Sequence, residues 1–333
     1  MSSSPRPSIS VAMATWNGAL YLPEQLESLA RQTLPPTELV VVDDSSSDST
    51  IAVLEAFAET APFDVRIVRN AENMGVMRTF ERAISLCRGD YVFLCDQDDY
   101  WDPAKIATVV AEFGREPRTM VIFNDKIIAD ENLKPSSATV LTNMRNVGTP
   151  DIAFIAGCCM ACRREWFDVA LPVPVQIPFH DWWLAVLAHQ LRVSKVLDRP
   201  LQLYRRHGTN ASAHPAYSDR PLGRWDRLRS ELKARFRGDR ETVKRFWTKD
   251  IDEHEALAAR IGERRETLAA MGLGAEADST LHRLALRIAT ARGRLDAATA
   301  PLLPRVRTVW RLWRSGGYAP FSGWKSAVKD LLQ

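Results

Sequence analysis

The sequence predicts an α/β protein: a mostly parallel central sheet flanked by helices, with an α-helical C-terminal extension. Three observations lead there. Short apolar runs alternate with amphipathic stretches as far as Phe123. Those runs are apolar throughout instead of at every second position, as strands covered on both faces are. From Pro221 onward the period is helical, arginine is frequent and strand signals are missing.

Ile9–Thr15 (ISVAMAT) reads as a buried strand, and Leu22, Leu26 and Leu29 mark the helix after it. Glu38–Val42 is a second strand that runs into Asp43-Asp44. Ser45–Thr50 is a cluster of turn and cap residues before a helix over Ile51–Ala58. Val65–Val68 is a short strand, and Val76–Leu86 is a helix with Phe80, Ala83 and Ile84 on one face. Tyr91–Cys95 (YVFLC) is an apolar strand that stops at Asp96. Pro103 opens the next helix, where its missing N–H is harmless. Met120–Phe123 is a further strand. Past Asp130 the pattern changes. Lys134–Pro150 reads as loop, Ile152–Cys162 as strand and Asp181–Leu191 as helix, with Val193–Leu197 and Leu201–Tyr204 as two short strands. The division this suggests is 1–215 for the sheet domain and 216–333 for a basic helical region.

The chain has 333 residues, 46% hydrophobic and 26% charged, which excludes a disordered tail, a collagen and a disulfide miniprotein. The net charge of +3 conceals a split. Residues 1–204 carry 18 basic and 26 acidic side chains, and residues 205–333 carry 26 and 15. The acidic half suits a metal; the basic half suits anions such as phosphates or a membrane surface. The longest apolar run, Ile152 to Cys162, has 11 residues, against roughly 20 for a bilayer span. Met1–Pro7 lacks the apolar core of a signal peptide. Five cysteines, an odd number, fit a reducing cytosol. Cys159 and Cys162 form a CxxC, but no second pair follows at zinc spacing, which favours a buried strand there.

In an open parallel sheet, ligands bind beyond the carboxyl ends of the strands. Thr15, Trp16 and Asn17 follow the first strand, Asp43 and Asp44 the second, and Asp96-Gln97-Asp98-Asp99 the strand YVFLC. Three carboxylates in four residues repel one another unless a cation sits among them, and Mg²⁺ takes one or two carboxylates plus phosphate oxygens. A solvated capping turn before Pro103 is the other reading, and the position after an apolar strand weighs against it. Asp44 or Ser45 suits the N-cap of the next helix; the other aspartate is left to accept from a base or a ribose. No GxGxxG and no GxxxxGK[ST] is present, which argues against a dinucleotide dehydrogenase and a P-loop NTPase. His180-Asp181-Trp182-Trp183 opens a helix. Asp181 suits a cap there, or a pocket floor with Trp182 and Trp183 stacking on sugar rings. Tyr204-Arg205-Arg206-His207-Gly208-Thr209-Asn210 follows a strand. Its two arginines and histidine suit a diphosphate and a metal, or a basic surface loop.

Six segments, SISVAMATWNG, ELVVVDDSSSDST, RNAENMGVMRTFERAISLCRGDYVFLCDQDD, IAGCCMACRR, HDWW and YRRHGTN, together resemble the inverting family 2 glycosyltransferases of the GT-A (Rossmann-like) fold. They span residues 8 to about 210 in the family's order. DQDDYW, HDWW, YRRHGTN and the closing SGWKSAVKDLL look most like the rhamnosyltransferase-like branch of bacteria. The resemblance implies that Asp43 binds the nucleotide base with Thr15 and Asn17 in the same pocket. It implies that Asp96 and Asp98 reach the ribose and a metal-bound diphosphate, that Asp181 is the general base, and that His207 is a metal ligand or diphosphate contact. Arg205 and Arg206 are expected at the nucleotide sugar. The implied cofactor is a divalent cation, Mg²⁺ or Mn²⁺. The implied donor is a nucleoside-diphosphate sugar, with dTDP-rhamnose suggested by the branch. The expected acceptor is a glycan or a lipid-linked acceptor of bacterial surface polysaccharide synthesis. His180 stands where many members carry Glu, which changes the partner of the presumed base. Gln202 begins QLYRRH instead of the QxxRW of processive synthases, which implies single addition.

The C-terminal region is outside those motifs. Arg224, Arg227, Arg229, Lys233, Arg235 and Arg237 alternate with Trp225, Leu228, Leu232 and Phe236. Arg305, Arg307, Arg311 and Arg314 alternate with Val306, Val309, Trp310, Leu312 and Trp313. Both stretches suit interfacial helices on an anionic membrane, or helices packed on a core with a charged outer face. The expectation is a cytoplasmic protein with peripheral contact to the inner membrane and no nucleic-acid partner, since no recognition motif accompanies the charge. A nucleotidyltransferase and a catalytically silent sugar-nucleotide- or glycan-binding module are the rival readings.

Overall fold

The computed structural model describes residues 6–208, 218–223, 225–226, 240–319, 321 and 323–332. They fall into two compact units, one within Met1–Val173 and Pro178–Leu228, the other within Pro174–Ile177 and Arg229–Gln333. Thr209, Asn210 and most of the cationic stretch Arg224–Arg237 lie outside the described residues.

The first unit is built on a nine-stranded mixed sheet. Strands β1 (Ile9–Thr15), β2 (Glu38–Asp43), β3 (Asp64–Arg69) and β4 (Tyr91–Cys95) are parallel, joined through helices α1 (Leu22–Ala30), α2 (Thr50–Ala58) and α3 (Val76–Leu86). β1, β2 and β4 are buried almost end to end, which is why their sequences show no alternation. Val11, Met13, Leu39, Val41 and Phe93 form the core with Leu22, Leu26 and Leu29 of α1. After β4 come the two-residue strand β5 (Tyr100–Trp101), helix α4 (Lys105–Arg115) and strand β6 (Val121–Ala129). The strand order is β3-β2-β1-β4, then three later strands, then β5 at the far edge. Only Asp96–Asp99 joins β4 to β5, with a turn at Gln97-Asp98. Four residues with a turn reach across only because the sheet curls.

Three expectations are corrected. Lys134–Pro150 is not loop: Pro135–Thr139 is a strand (β7) paired with the end of β6, and Val140–Asn146 is a helix (α5). Thr139 caps that helix by accepting from the Thr142 N–H at 3.2 Å, and Asp125 of β6 accepts from the Leu141 N–H at 3.0 Å. Ile152–Cys162 is mostly not strand. Its backbone closes local turns, with Ala153 donating to Pro150 and Cys159 to Ala156, and only Met160–Arg163 (β8) pairs, antiparallel to β4 and β6. The run is apolar because it is packed, not because it is paired. After helices α6 (Trp166–Ala170) and α7 (His180–Gln190), the two expected short strands are one, β9 (Ser194–Arg205). Pro200 sits in it where the register with β6 shifts, a place that tolerates its missing donor.

The second unit is helical, with long helices over Arg240–Glu263 and Gly274–Thr299 and, among the described residues, three shorter ones over Arg265–Ala270, Leu302–Arg314 and Trp324–Leu332. Val243, Trp247 and Ile251 pack on Ala291 and Ala298. Arg294 forms a buried two-pronged pair with Asp330 at 2.7 and 2.8 Å, and the Tyr318 hydroxyl donates to the same carboxylate at 2.9 Å. No described helix is long and apolar enough to cross a membrane.

Candidate active site

Parallel register sets Thr15 beside Asp43 and Met13 beside Cys95, so the segments after β1, β2 and β4 emerge at one edge. The Asp43 carboxylate is fully buried. It accepts from the Thr15 hydroxyl at 3.1 Å and the Ser46 N–H at 2.9 Å, with Arg69 Nε at 3.6 Å. Asn17 holds a left-handed backbone (φ 46°), which its short amide tolerates. Its N–H donates to Ser46 and its side-chain oxygen accepts from the Ser47 N–H at 2.8 Å. Thr15, Asn17 and Asp43 are thus one bonded set.

Neither Asp44 nor Ser45 caps α2; the N-cap position is Ser49, and Asp48 before it accepts from the Thr50 N–H at 3.0 Å. Asp44 instead accepts from the N–H groups of Met74 and Gly75, both at 2.8 Å, and from the Asn70 amide at 2.7 Å. Burial alone would raise its pKa, but these bonds, with Thr79, hold the carboxyl below its ordinary value.

The acidic turn Asp96–Asp99 is fastened from both sides. Gln97 accepts from the Trp16 N–H at 2.9 Å and donates to its carbonyl at 3.1 Å. A Cβ on Gly18 would meet Gln97 Oε1 at 2.2 Å, so glycine is required for that approach. Asp99, fully buried, accepts from Gln202 Nε2 at 2.8 Å and from the Arg205 N–H at 3.2 Å, both on β9. Asp98 pairs with His207 Nε2 at 2.9 Å, and the His207 ring lies 4.7 Å from that of Tyr21. Burial, with Asp98 beside it, pushes Asp96 up to about 7, and burial with the neighbouring Cys158 and carboxylates raises Asp99 well above its usual value.

Among the described residues, Asp96, Asp99 and Cys158 bring three ligand atoms within 4.8 Å of one another, and the expected Asp98 and His207 lie beside them, bonded to each other at 2.9 Å. Buried carboxylates crowded against one another are a donor set that a hard divalent cation relieves. The Cys158 thiol is also raised well above its ordinary value, through its hydrogen bond to Cys159 and its burial, so the carboxylate oxygens are the better ligands. The residues fit a divalent cation on that ground.

Behind the turn lie two buried lysines. Lys105 donates to the Cys158 carbonyl at 2.9 Å and to Gln202, and lies 3.7 Å from the Trp101 ring centroid. Lys126 reaches Cys158 Sγ at 3.6 Å and lies over the Tyr204 ring at 3.5 Å. Sequence reading missed both, along with Cys158, although a lysine inside the apolar run VIFNDKIIA was a visible signal.

Asp181 lies in the first turn of α7, with its carboxylate accepting from the Trp182 N–H at 2.8 Å and the Gly157 N–H at 3.2 Å. Its charge is near enough to the turn to help raise Asp96. His180 is buried and stacked on Phe80 at 4.4 Å; burial lowers its pKa and keeps the ring neutral. Trp182 is half-buried. Trp183, expected at the acceptor, is a core residue, 0% exposed, whose indole donates to the Ala170 carbonyl at 2.7 Å. Arg205, expected at the diphosphate, is 2% exposed and lies under the turn. It donates to the Asp98 carbonyl at 2.8 Å, the Glu131 carbonyl at 2.5 Å and Glu24 at 2.5 Å, and stacks on Tyr21. Arg206 is half-buried, with its N–H donating to the Ala129 carbonyl at 2.9 Å.

Residues 10–170 match the family model described as glycosyl transferase family 2. That segment is a family 2 glycosyltransferase domain. An uncharacterized protein of Mycobacterium tuberculosis is 30% identical over 219 residues, covering 64% of this chain. The chain spans about three-fifths of that relative, 62% of its length. The dTDP-rhamnosyl transferase RfbG of Shigella flexneri is 29% identical over 217 residues, covering 60% of this chain and 72% of that protein. Among solved structures, residues 1–349 of Staphylococcus aureus TarS in complex with UDP align with a TM-score of 0.53 at 17% identity, covering 92% of this chain and 79% of that one. A mannosyltransferase of Pyrobaculum calidifontis in complex with GDP-Man and Mn²⁺ aligns at 0.50 with 16% identity, covering 86% and 88%. At such identities the likeness is one of fold, and the fold of this glycosyltransferase domain is GT-A.

Proposed function

We propose that the chain is an inverting glycosyltransferase that moves one sugar from a nucleoside-diphosphate sugar to a hydroxyl acceptor. The observation that carries this is the position of Asp181, at the start of α7, bonded to the N–H of Gly157, the residue before Cys158, whose thiol lies within 4.8 Å of the Asp96 and Asp99 carboxylates of the turn that follows β4. In this reading Thr15, Asn17 and Asp43 shape the base pocket, and Asp96 faces the ribose and diphosphate with Asp98. Asp99, Gln202 and Arg205 hold the turn in place, and Arg206 and His207 border the diphosphate. Mg²⁺ or Mn²⁺ would be held by the carboxylates of the turn, Asp96 and Asp98 with Asp99 beside them, and would supply Lewis acidity that lowers the cost of the departing diphosphate's charge. The Mn²⁺ of the Pyrobaculum mannosyltransferase supports this choice.

Asp181 takes the proton of the acceptor hydroxyl as that oxygen attacks the anomeric carbon opposite the leaving group. One displacement inverts the configuration and needs no second nucleophile. Trp182, half-buried beside the base, offers its ring to the acceptor. His180, neutral and stacked, holds the start of α7 instead of sharing the proton.

The donor is proposed to be dTDP-rhamnose on the likeness to RfbG, and the acceptor a glycan or lipid-linked saccharide of a bacterial surface polysaccharide. Residues 1–215 would form the catalytic domain and 216–333 an appended helical region with a peripheral seat on the cytoplasmic face of the membrane. The test is a panel of nucleotide sugars with and without Mn²⁺, read by release of nucleoside diphosphate and by the anomeric configuration of the product. Retained configuration, or no turnover with any donor, would refute the scheme.

A further inference from the structure

The last two helices present an apolar face that the second unit leaves open. Val306, Trp310 and Trp313 fall on one stripe of Leu302–Arg314, and Trp324, Val328 and Leu331 on one stripe of Trp324–Leu332. These stripes border a groove of about 280 Å³. Trp310 is 61% exposed, Trp313 46% and Trp324 62%. Leu303, 75% exposed, continues the first stripe by one turn. Soluble proteins rarely leave such a contiguous patch uncovered.

Among the described residues of these two helices, the exposed charges are all of one sign. Arg307, Arg311 and Arg314 sit one position on from Val306, Trp310 and Trp313. Lys325 and Lys329 sit one position on from Trp324 and Val328. All five are exposed. Arg305 is not among them: it is buried and donates to the Ala297 and Ala300 carbonyls at 3.2 and 3.0 Å. The single acidic residue after Ala300, Asp330, is buried and held by Arg294 and Tyr318. Among the described residues of these two helices, the tryptophans are therefore flanked by five exposed cations, and no side-chain carboxylate is exposed.

We infer that this paired-helix face seats the protein on an anionic phospholipid surface, with Trp310, Trp313 and Trp324 entering the headgroup region and Arg307, Arg311, Arg314, Lys325 and Lys329 meeting lipid phosphates. Indole rings belong at that depth, and the long basic side chains reach out to the phosphates from the same helices. A second copy of this chain is a poorer occupant, because pairing the face with itself opposes two like-charged rims. The inference deepens the peripheral seat proposed above, but it does not rest on the transferase chemistry. An assay of vesicle binding reads no turnover, so either can fail while the other stands.

The test is flotation of the full chain with phosphatidylcholine vesicles, with and without phosphatidylglycerol. The wild type is expected to float with the anionic vesicles and to stay behind with the neutral ones. The variant Arg307→Gln/Arg311→Gln/Arg314→Gln removes three exposed charges and is expected to bind roughly tenfold more weakly or worse. The variant Trp310→Ser/Trp313→Ser/Trp324→Ser is expected to lose flotation while keeping the wild-type melting temperature and donor hydrolysis. If that variant does not fold, quenching of wild-type tryptophan emission by brominated lipid replaces it. No flotation of the wild type, equal flotation with neutral vesicles, or unchanged flotation of the arginine variant would overturn the inference. So would a dimer, seen by light scattering, that the tryptophan substitutions dissociate without any vesicle binding.

Discussion

The side-chain amide of Gln97 closes a two-way pair with the backbone of Trp16, accepting its N–H at 2.9 Å and donating to its carbonyl at 3.1 Å. The loop after β1 and the acidic turn after β4 are therefore one rigid rim. Gln97→Ala is expected to fold, yet to bind UDP or dTDP about tenfold more weakly, the scale of one or two lost hydrogen bonds. Gly18→Ala should move in the same direction, because its Cβ would occupy the place of Gln97 Oε1. Titration calorimetry with the nucleotide checks both, and unchanged binding in both variants would separate the rim from the donor.

Asp181→Asn is expected to keep the fold and donor binding while transfer falls by roughly 10²–10⁴, the range of a lost general base. Single-turnover measurement with saturating donor is the check. Normal turnover would take Asp181 out of the reaction.

Asp44 should give the protein part of its acid sensitivity. Its hydrogen bonds hold the folded carboxyl below the value it takes in the unfolded chain. That stabilisation is complete above the unfolded value and is lost as pH falls through the lowered folded one. Asp44→Asn should cost about 1–3 kcal/mol near neutrality, since an amide cannot accept from both Met74 and Gly75 as a carboxylate does. The gap to wild type should narrow below about pH 4 in denaturant titrations.

The two tryptophans of HDWW should behave differently. Trp183→Ala removes a wholly buried ring and its bond to Ala170 and should destabilise by about 3–5 kcal/mol. Trp182→Ala should leave the melting temperature nearly unchanged and raise the KM of the acceptor without altering that of the donor.

Removal of divalent cations should abolish transfer and lower the melting temperature near pH 8, where the carboxylates of the turn repel one another most. Adding Mn²⁺ back should restore both. In Asp96→Asn the melting temperature without metal should rise and its response to Mn²⁺ should shrink, as differential scanning fluorimetry would show.

Much of this was legible in the chain. The strands ISVAMAT, ELVVV and YVFLC declared themselves because a fully buried parallel strand needs an unbroken apolar run, and polar residues right after such runs mark a ligand edge. The segment IAFIAGCCMAC misled because an apolar run records burial, not hydrogen-bond pairing. Thr139 as a cap went unread because Pro135–Thr139 pairs only with the distant end of β6. Arg205 showed its charge in the sequence but not its depth. Only the tertiary structure places Glu24, Glu131 and Asp98 around its guanidinium and turns a candidate anion contact into a brace. Gln202 likewise looked like the relic of a motif, and is the residue that ties Asp99 to Lys105.

The four residues between Cys95 and Tyr100 do two jobs at once. They present the carboxylates, and they are the clasp by which one flank of the curled sheet is fastened to the other. Loosening them would open the seam and spoil the chemistry together, so at this spot durability and turnover are not separately adjustable. Anyone wishing to retune the range of sugars accepted would do better to work on the rims around the clasp and leave its length alone.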